Sequence, residues 1–128
     1  RTSGDEAMAL ILIIDDSPTE VHVMQTALES HGFRTAVAAN GAEGIKLARE
    51  IHPDLIFMDI VMPGVNGYQA TRTLLNDPDT RAIPIVMVTS KGQEADRVWG
   101  LRQGAVDYLV KPVSPARLVE KAQATLAA

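Results

Sequence analysis

Hydrophobic residues along this 128-residue chain fall into short continuous blocks rather than an alternating pattern. Four blocks stand out: LILII at 10–14, DLIFM at 54–58, IPIVMV at 83–88 and VDYLV at 106–110. Unbroken apolar runs of this length are expected of parallel strands covered on both faces. A fifth block, RTAVAA at 34–39, is less apolar and suits a strand nearer a sheet edge. Between the blocks lie segments with helix-start chemistry. Ser17-Pro18-Thr19-Glu20 reads as a capping box with proline at the first helical position, opening a helix that stops near His31-Gly32. Asn40 to Glu43 gives a similar start, and that helix must end before Pro53. Segments 67–76, 92–103 and 115–127 complete the set, with Gly104 a stop for the middle one.

A strand–helix unit repeated five times predicts an α/β fold: a doubly wound, five-stranded parallel sheet with five helices on its two faces. The length fits one domain, read as residues 9–127. The opening RTSGDEA is polar and small, so residues 1–8 read as a disordered tail or a remnant of expression.

In open α/β sheets, ligands bind beyond the carboxyl ends of the strands. The polar residues that interrupt the blocks all fall on that edge. Asp15-Asp16 follows the first strand, Asp59 the third, Thr89-Ser90 the fourth and Lys111-Pro112 the fifth. Taken singly, each has a plain structural use, such as turn former, helix cap or solvated charge. Together they make an acidic pocket with one cation and one hydroxyl. Two carboxylates about 4 Å apart repel by roughly 4 kcal/mol at an effective dielectric near 20, so three of them call for a divalent cation. An all-oxygen, partly open site favours Mg²⁺. A carboxylate can attack phosphorus to give an aspartyl phosphate, with metal and lysine neutralising the phosphoryl oxygens. Asp59 is the best nucleophile candidate, being single, central and followed by a loop.

The ordered set Asp15-Asp16, MDIVMPGVNG around Asp59, VTS at Thr89 and KPV at Lys111 resembles the receiver domain of two-component response regulators, the CheY-like, flavodoxin-like fold. The resemblance spans residues 9 to 127 and implies the strand order 2-1-3-4-5. It implies that Asp59 is the phosphoacceptor, serving a sensor histidine kinase. Asp16, Asp59 and the Val61 carbonyl would bind Mg²⁺, with Asp15 acting through a bound water. Thr89 is implied as the switch hydroxyl, Lys111 as the phosphate partner and Tyr108 as the switch aromatic, with a cis peptide before Pro112. Phosphorylation in such proteins remodels the face of the fourth helix, fifth strand and fifth helix, altering affinity for a downstream target. The domain is thus expected to be a phosphoacceptor switch that assists its own phosphorylation and dephosphorylation, not a conventional enzyme. DDSPTE, GYQATR and VWGLRQGA are similar to stand-alone regulators of type IV pilus twitching-motility chemosensory systems.

Two variable positions bear on phosphate lifetime. The Val61 side chain has no polar atom to orient a water, and Lys91 adds a cation near the pocket, so hydrolysis is expected to be slower than in relatives with a polar side chain at the first of these positions.

Composition narrows the alternatives. A net charge of −4 argues against nucleic-acid binding by this domain. No apolar run approaches the roughly 20 residues that cross a bilayer. The absence of cysteine and of a signal-peptide pattern fits the cytoplasm. The same sequence also fits a receiver cut from a longer transcriptional or enzymatic regulator. Flavin mononucleotide binding by this type of sheet is opposed by Asp15-Asp16, which would repel phosphate in the first loop. A phosphohydrolase is opposed by the lack of a second acid two residues after a nucleophilic aspartate on the first strand. His22, His31 and His52 lack metal-site spacing, and Trp99 reads as packing or partner surface.

Overall fold

The computed structural model describes residues 9–128, so the tail expected at 1–8 lies outside the described residues. Five strands and five helices alternate: β1 (Leu10–Ile14), α1 (Pro18–Glu29), β2 (Arg34–Ala38), α2 (Gly41–Ile51), β3 (Leu55–Met58), α3 (Gly67–Asn76), β4 (Ile85–Thr89), α4 (Glu94–Arg102), β5 (Asp107–Val110) and α5 (Pro115–Ala127). All neighbouring strands pair in parallel, in the order β2-β1-β3-β4-β5.

The continuous apolar runs follow from a sheet covered on both sides. Ile11 and Ile13 face one core with Phe57, Val88 and Leu109, closed by Leu28 of α1 and Leu118 and Val119 of α5. Leu12 and Ile14 face the other, with Ile56, Met58 and Ile85, closed by Ala48 of α2 and Leu74 of α3. Alternate residues of one strand thus serve opposite cores, so none is free to be polar. Full burial of each large aliphatic is worth roughly 1.5–3 kcal/mol. At the edge, β2 is only partly buried, and Val37 is exposed.

Side chains of Ser17, Asn40, Asn66 and Ser114 cap α1, α2, α3 and α5 by accepting backbone N–H bonds. Helix α4 differs: Gln93 gives its start no side-chain cap, and only Gly100 of the helix is buried. It begins two residues later than the expected 92 and stops before Gly104, whose φ of +112° ends the run. The expected strand 83–88 is shifted to 85–89. Pro84 has no N–H for the ladder, whereas Thr89 still pairs with Val110 despite its polar side chain.

Glycine is required at two close approaches. A Cβ on Gly67 would lie 2.2 Å from the Asp59 carbonyl oxygen, and one on Gly44 would lie 2.4 Å from Ile14 Cδ1. These contacts bring α3 and α2 down onto the strand ends that carry the polar residues.

Candidate functional site

The carboxyl edge of the sheet gathers the interrupting residues into one pocket. Strand β1 delivers Asp15, which is buried; its N–H donates to the Ala38 carbonyl at 3.1 Å, and its Oδ1 accepts the Ser17 N–H at 2.9 Å. The same carboxylate therefore shapes the turn into α1. Strand β3 delivers Asp59, also buried, whose N–H donates to the Ile14 carbonyl at 2.9 Å and whose Oδ1 accepts the Ile60 N–H at 2.7 Å. One oxygen of each aspartate is thus fixed by backbone, and the other faces the pocket.

Lys111, following β5, fills the space between them. Its Nζ donates to Asp15 Oδ2 at 2.8 Å, to Asp59 Oδ2 at 3.1 Å, and to Glu20 Oε2. The backbone anchors this lysine, since its N–H donates to the Thr89 carbonyl at 2.8 Å, and its peptide to Pro112 is cis. Thr89 is fully buried, and its Oγ1 accepts the Lys91 N–H at 3.4 Å. Behind it Tyr108 is buried against Met87, Ile60 and Ala105, and its hydroxyl donates to the Lys91 carbonyl at 2.6 Å. A Cβ on Gly100 would come within 3.1 Å of that ring, so the bare backbone of α4 makes room for it.

Burial raises the Asp15 pKa; hydrogen bonds from Lys111 and the Ser17 N–H oppose the rise, and the Asp59 charge adds to it. For Lys111, burial pulls down, but hydrogen bonds to Asp15 and Glu20 and the Asp59 charge overcome it and hold the ammonium firmly protonated. Burial also raises the Tyr108 pKa, aided by Tyr68 and Asp96. The pocket therefore keeps its one cation and carries its negative charge at a cost. Three carboxylates against one ammonium leave two excess negative charges.

Asp15, Glu20 and Asp59 each offer an oxygen, and these oxygens lie within 4.8 Å of one another. This all-oxygen, net-negative donor set fits a hard divalent cation such as Mg²⁺. Asp16 stands outside that group, exposed at the rim. Val61 lies in the loop after Asp59 and is 58% exposed.

Two findings depart from the sequence reading. Glu20 was expected to complete a capping box. Ser17 does accept the Glu20 N–H at 3.4 Å, but the Glu20 carboxylate reaches Lys111. The stronger partner is the cation, and no spacing rule in the sequence links residues 20 and 111. Lys91 was expected to add charge near the pocket; its ammonium instead pairs with Asp96 at 3.7 Å. His22, His31 and His52 take no part in the carboxylate group, and Trp99 is about half exposed on α4.

The family model for the response regulator receiver domain matches residues 11–123. Protein PilH of Pseudomonas aeruginosa is 55% identical over 120 residues, covering 94% of this chain and 99% of PilH. The DNA-binding response regulator MtrA of Mycolicibacterium smegmatis is 40% identical over 91% of this chain, which spans only 50% of MtrA. Among solved structures, Vibrio cholerae chemotaxis protein CheY4 superposes with a TM-score of 0.87 at 28% identity, over 92% of this chain and 98% of CheY4. The receiver domain of sensor histidine kinase PA1611 from Pseudomonas aeruginosa has a TM-score of 0.88 at 31% identity, over 94% of this chain and 99% of that one. It was solved with a magnesium ion coordinated in its active site cleft.

Proposed function

This chain belongs to the response regulator receiver domain family of two-component signalling, and on that premise we propose that Asp59 accepts a phosphoryl group from a sensor histidine kinase. The observation that carries the proposal is the buried Asp59 carboxylate, one oxygen held by the Ile60 N–H and the other turned to the Lys111 ammonium.

The Asp59 oxygen attacks phosphorus, a new O–P bond forms, and the P–N bond to the donor imidazole breaks. The imidazole leaves with the bond's electron pair and is neutralised by a proton. Residues Asp15, Asp16, Asp59 and the Val61 carbonyl would hold Mg²⁺, which supplies positive charge opposite the phosphoryl oxygens when bound. Lys111 supplies a second positive charge toward the phosphoryl oxygens. Thr89, buried at the end of β4, donates its hydroxyl to the new phosphate. Its coupling to the aromatic ring runs through Lys91, whose N–H faces Thr89 and whose carbonyl accepts from Tyr108. Movement of Thr89 thus bears on Tyr108 and on the α4-β5-α5 face, where Trp99, Val106 and Val110 are exposed. The domain, residues 9–127, acts as a switch that assists its own phosphorylation and dephosphorylation. Among the described residues no helix is long and apolar enough to cross a membrane. The likeness to PilH supports a place in pilus or chemotaxis-like control in the cytoplasm.

Incubation with Mg²⁺ and a phosphorylated kinase or a small acyl-phosphate donor tests this. Acid-stable, base-labile label is expected on the wild type and absent from Asp59→Asn or after chelation. Label that survives Asp59→Asn places the acceptor elsewhere.

A further inference from the structure

We infer that Glu20 is a positioning residue: it occupies the third donor of Lys111 and yields it when an anionic group arrives over Asp59. This inference rests on Asp59 being the phosphoacceptor. An ammonium has three N–H donors, and here all three are engaged, by Asp15, Asp59 and Glu20. Before the O–P bond forms, an arriving phosphoryl oxygen can therefore bond Lys111 only if one carboxylate lets go.

Exposure decides which one. The side chains of Asp15 and Asp59 are 1% and 9% exposed, whereas that of Glu20 is 44% exposed. Releasing Asp15 would leave a buried carboxylate without its cation, and Asp59 keeps its own charge until the O–P bond forms, so neither yields cheaply to an arriving group. Releasing Glu20 hands its charge to water. Glu20 also sits on the first turn of α1, where the capped helix start holds its backbone in place as the side chain swings. Asp15 and Asp59, by contrast, are each tied at Oδ1 to a backbone N–H and cannot turn away without breaking that bond. Glu20 thus balances the lysine when the phosphoryl site is empty and competes with the phosphoryl group for it.

Neutralising Glu20 should favour anion binding twice over, by freeing the lysine and by removing a negative charge beside the incoming group. Beryllofluoride, a phosphoryl mimic, reports this without any chemical turnover. Its affinity is measured by ¹⁹F NMR at saturating Mg²⁺, so that altered metal binding does not enter. Glu20→Gln is nearly isosteric, and glutamine suits the third helical position equally well. It is expected to bind beryllofluoride about three- to tenfold more tightly, the gap between an ion pair and an ammonium bonded to a neutral amide oxygen. The Lys111 ¹⁵Nζ resonance of the metal-free protein should shift in the same variant, which loss of a purely structural helix-start residue would not cause. Unchanged or weaker affinity, or an unmoved Lys111 resonance, overturns the role given to Glu20. Failure of the wild type to bind the mimic with Mg²⁺ would instead overturn the phosphoacceptor reading itself.

Discussion

Replacing Lys111 with methionine removes the ammonium that offsets Asp15 and Asp59 inside the pocket while keeping most of the side-chain volume. The Nζ–oxygen distances of 2.8 and 3.1 Å correspond to gross attractions of about 5–6 kcal/mol each at an effective dielectric near 20. Desolvation cancels much of that, but removing one member of a buried pair strands the others and typically costs about 3–5 kcal/mol. The two aspartates also repel: oxygens within 4.8 Å of each other cost at least roughly 3.5 kcal/mol at that dielectric. We therefore expect Lys111→Met to lose about 3 kcal/mol of metal-free stability at neutral pH, near 12 °C in melting temperature for a domain of this size.

The pH dependence has a definite sign. Burial and the Asp59 charge already raise the Asp15 pKa above 3.8. A carboxyl raised in the folded state stabilises when protonated, and that contribution is lost as pH rises through its folded value. Without Lys111 the rise is larger. The deficit of the variant should therefore shrink as pH falls from 7 toward the ordinary carboxylate range and grow as it returns. Mg²⁺ should stabilise the variant more than the wild type, because it meets uncompensated charge. Urea unfolding at several pH values, with and without Mg²⁺, measures all three. A neutral-pH loss below about 1 kcal/mol, or a deficit that grows on acidification, would refute the charge balance described here.

Two further substitutions probe the frame around the pocket. Gly67→Ala places a Cβ 2.2 Å from the Asp59 carbonyl oxygen, so backbone must move; a loss of about 1–3 kcal/mol in denaturant unfolding is expected, and under 0.5 kcal/mol would mean that α3 does not press on this loop. Val61→Asn puts a polar side chain at an exposed position two residues after the phosphoacceptor; orienting one water there should speed loss of label by about three- to tenfold, and an unchanged or slower decay counts against that role for position 61.

Much of this was legible in the sequence because the fold imposes strict demands there. Strands with both faces buried leave no alternative to LILII and LIFM, and the polar residues that end such runs must emerge on one sheet edge. Asp15, Asp59 and Lys111 were found by that rule and do meet in space. Thr89 was visible by its polarity, but its place within β4 was not, because ladder pairing depends on backbone and is indifferent to a hydroxyl. Pro84 set the start of that strand by its missing N–H, a signal the apolar run concealed. Glu20 was hidden for another reason. Its local spacing from Ser17 satisfied a capping rule, and only the fold brings Lys111, 91 residues away, into reach. Side-chain contacts between distant residues with long flexible arms leave no periodic trace. Lys91 shows the converse: proximity in sequence to Thr89 did not aim its ammonium at the pocket, because Asp96 on α4 is its partner.

The most direct measurement is chemical localisation of the phosphoryl group. After reaction with a phosphodonor and Mg²⁺, borohydride reduces an aspartyl phosphate to homoserine, which peptide mass spectrometry assigns to a residue. Homoserine at position 59, dependent on Mg²⁺ and on the donor, is the predicted result. Homoserine at position 15 or 16 instead, or none at 59 in protein that carries label, would contradict the account.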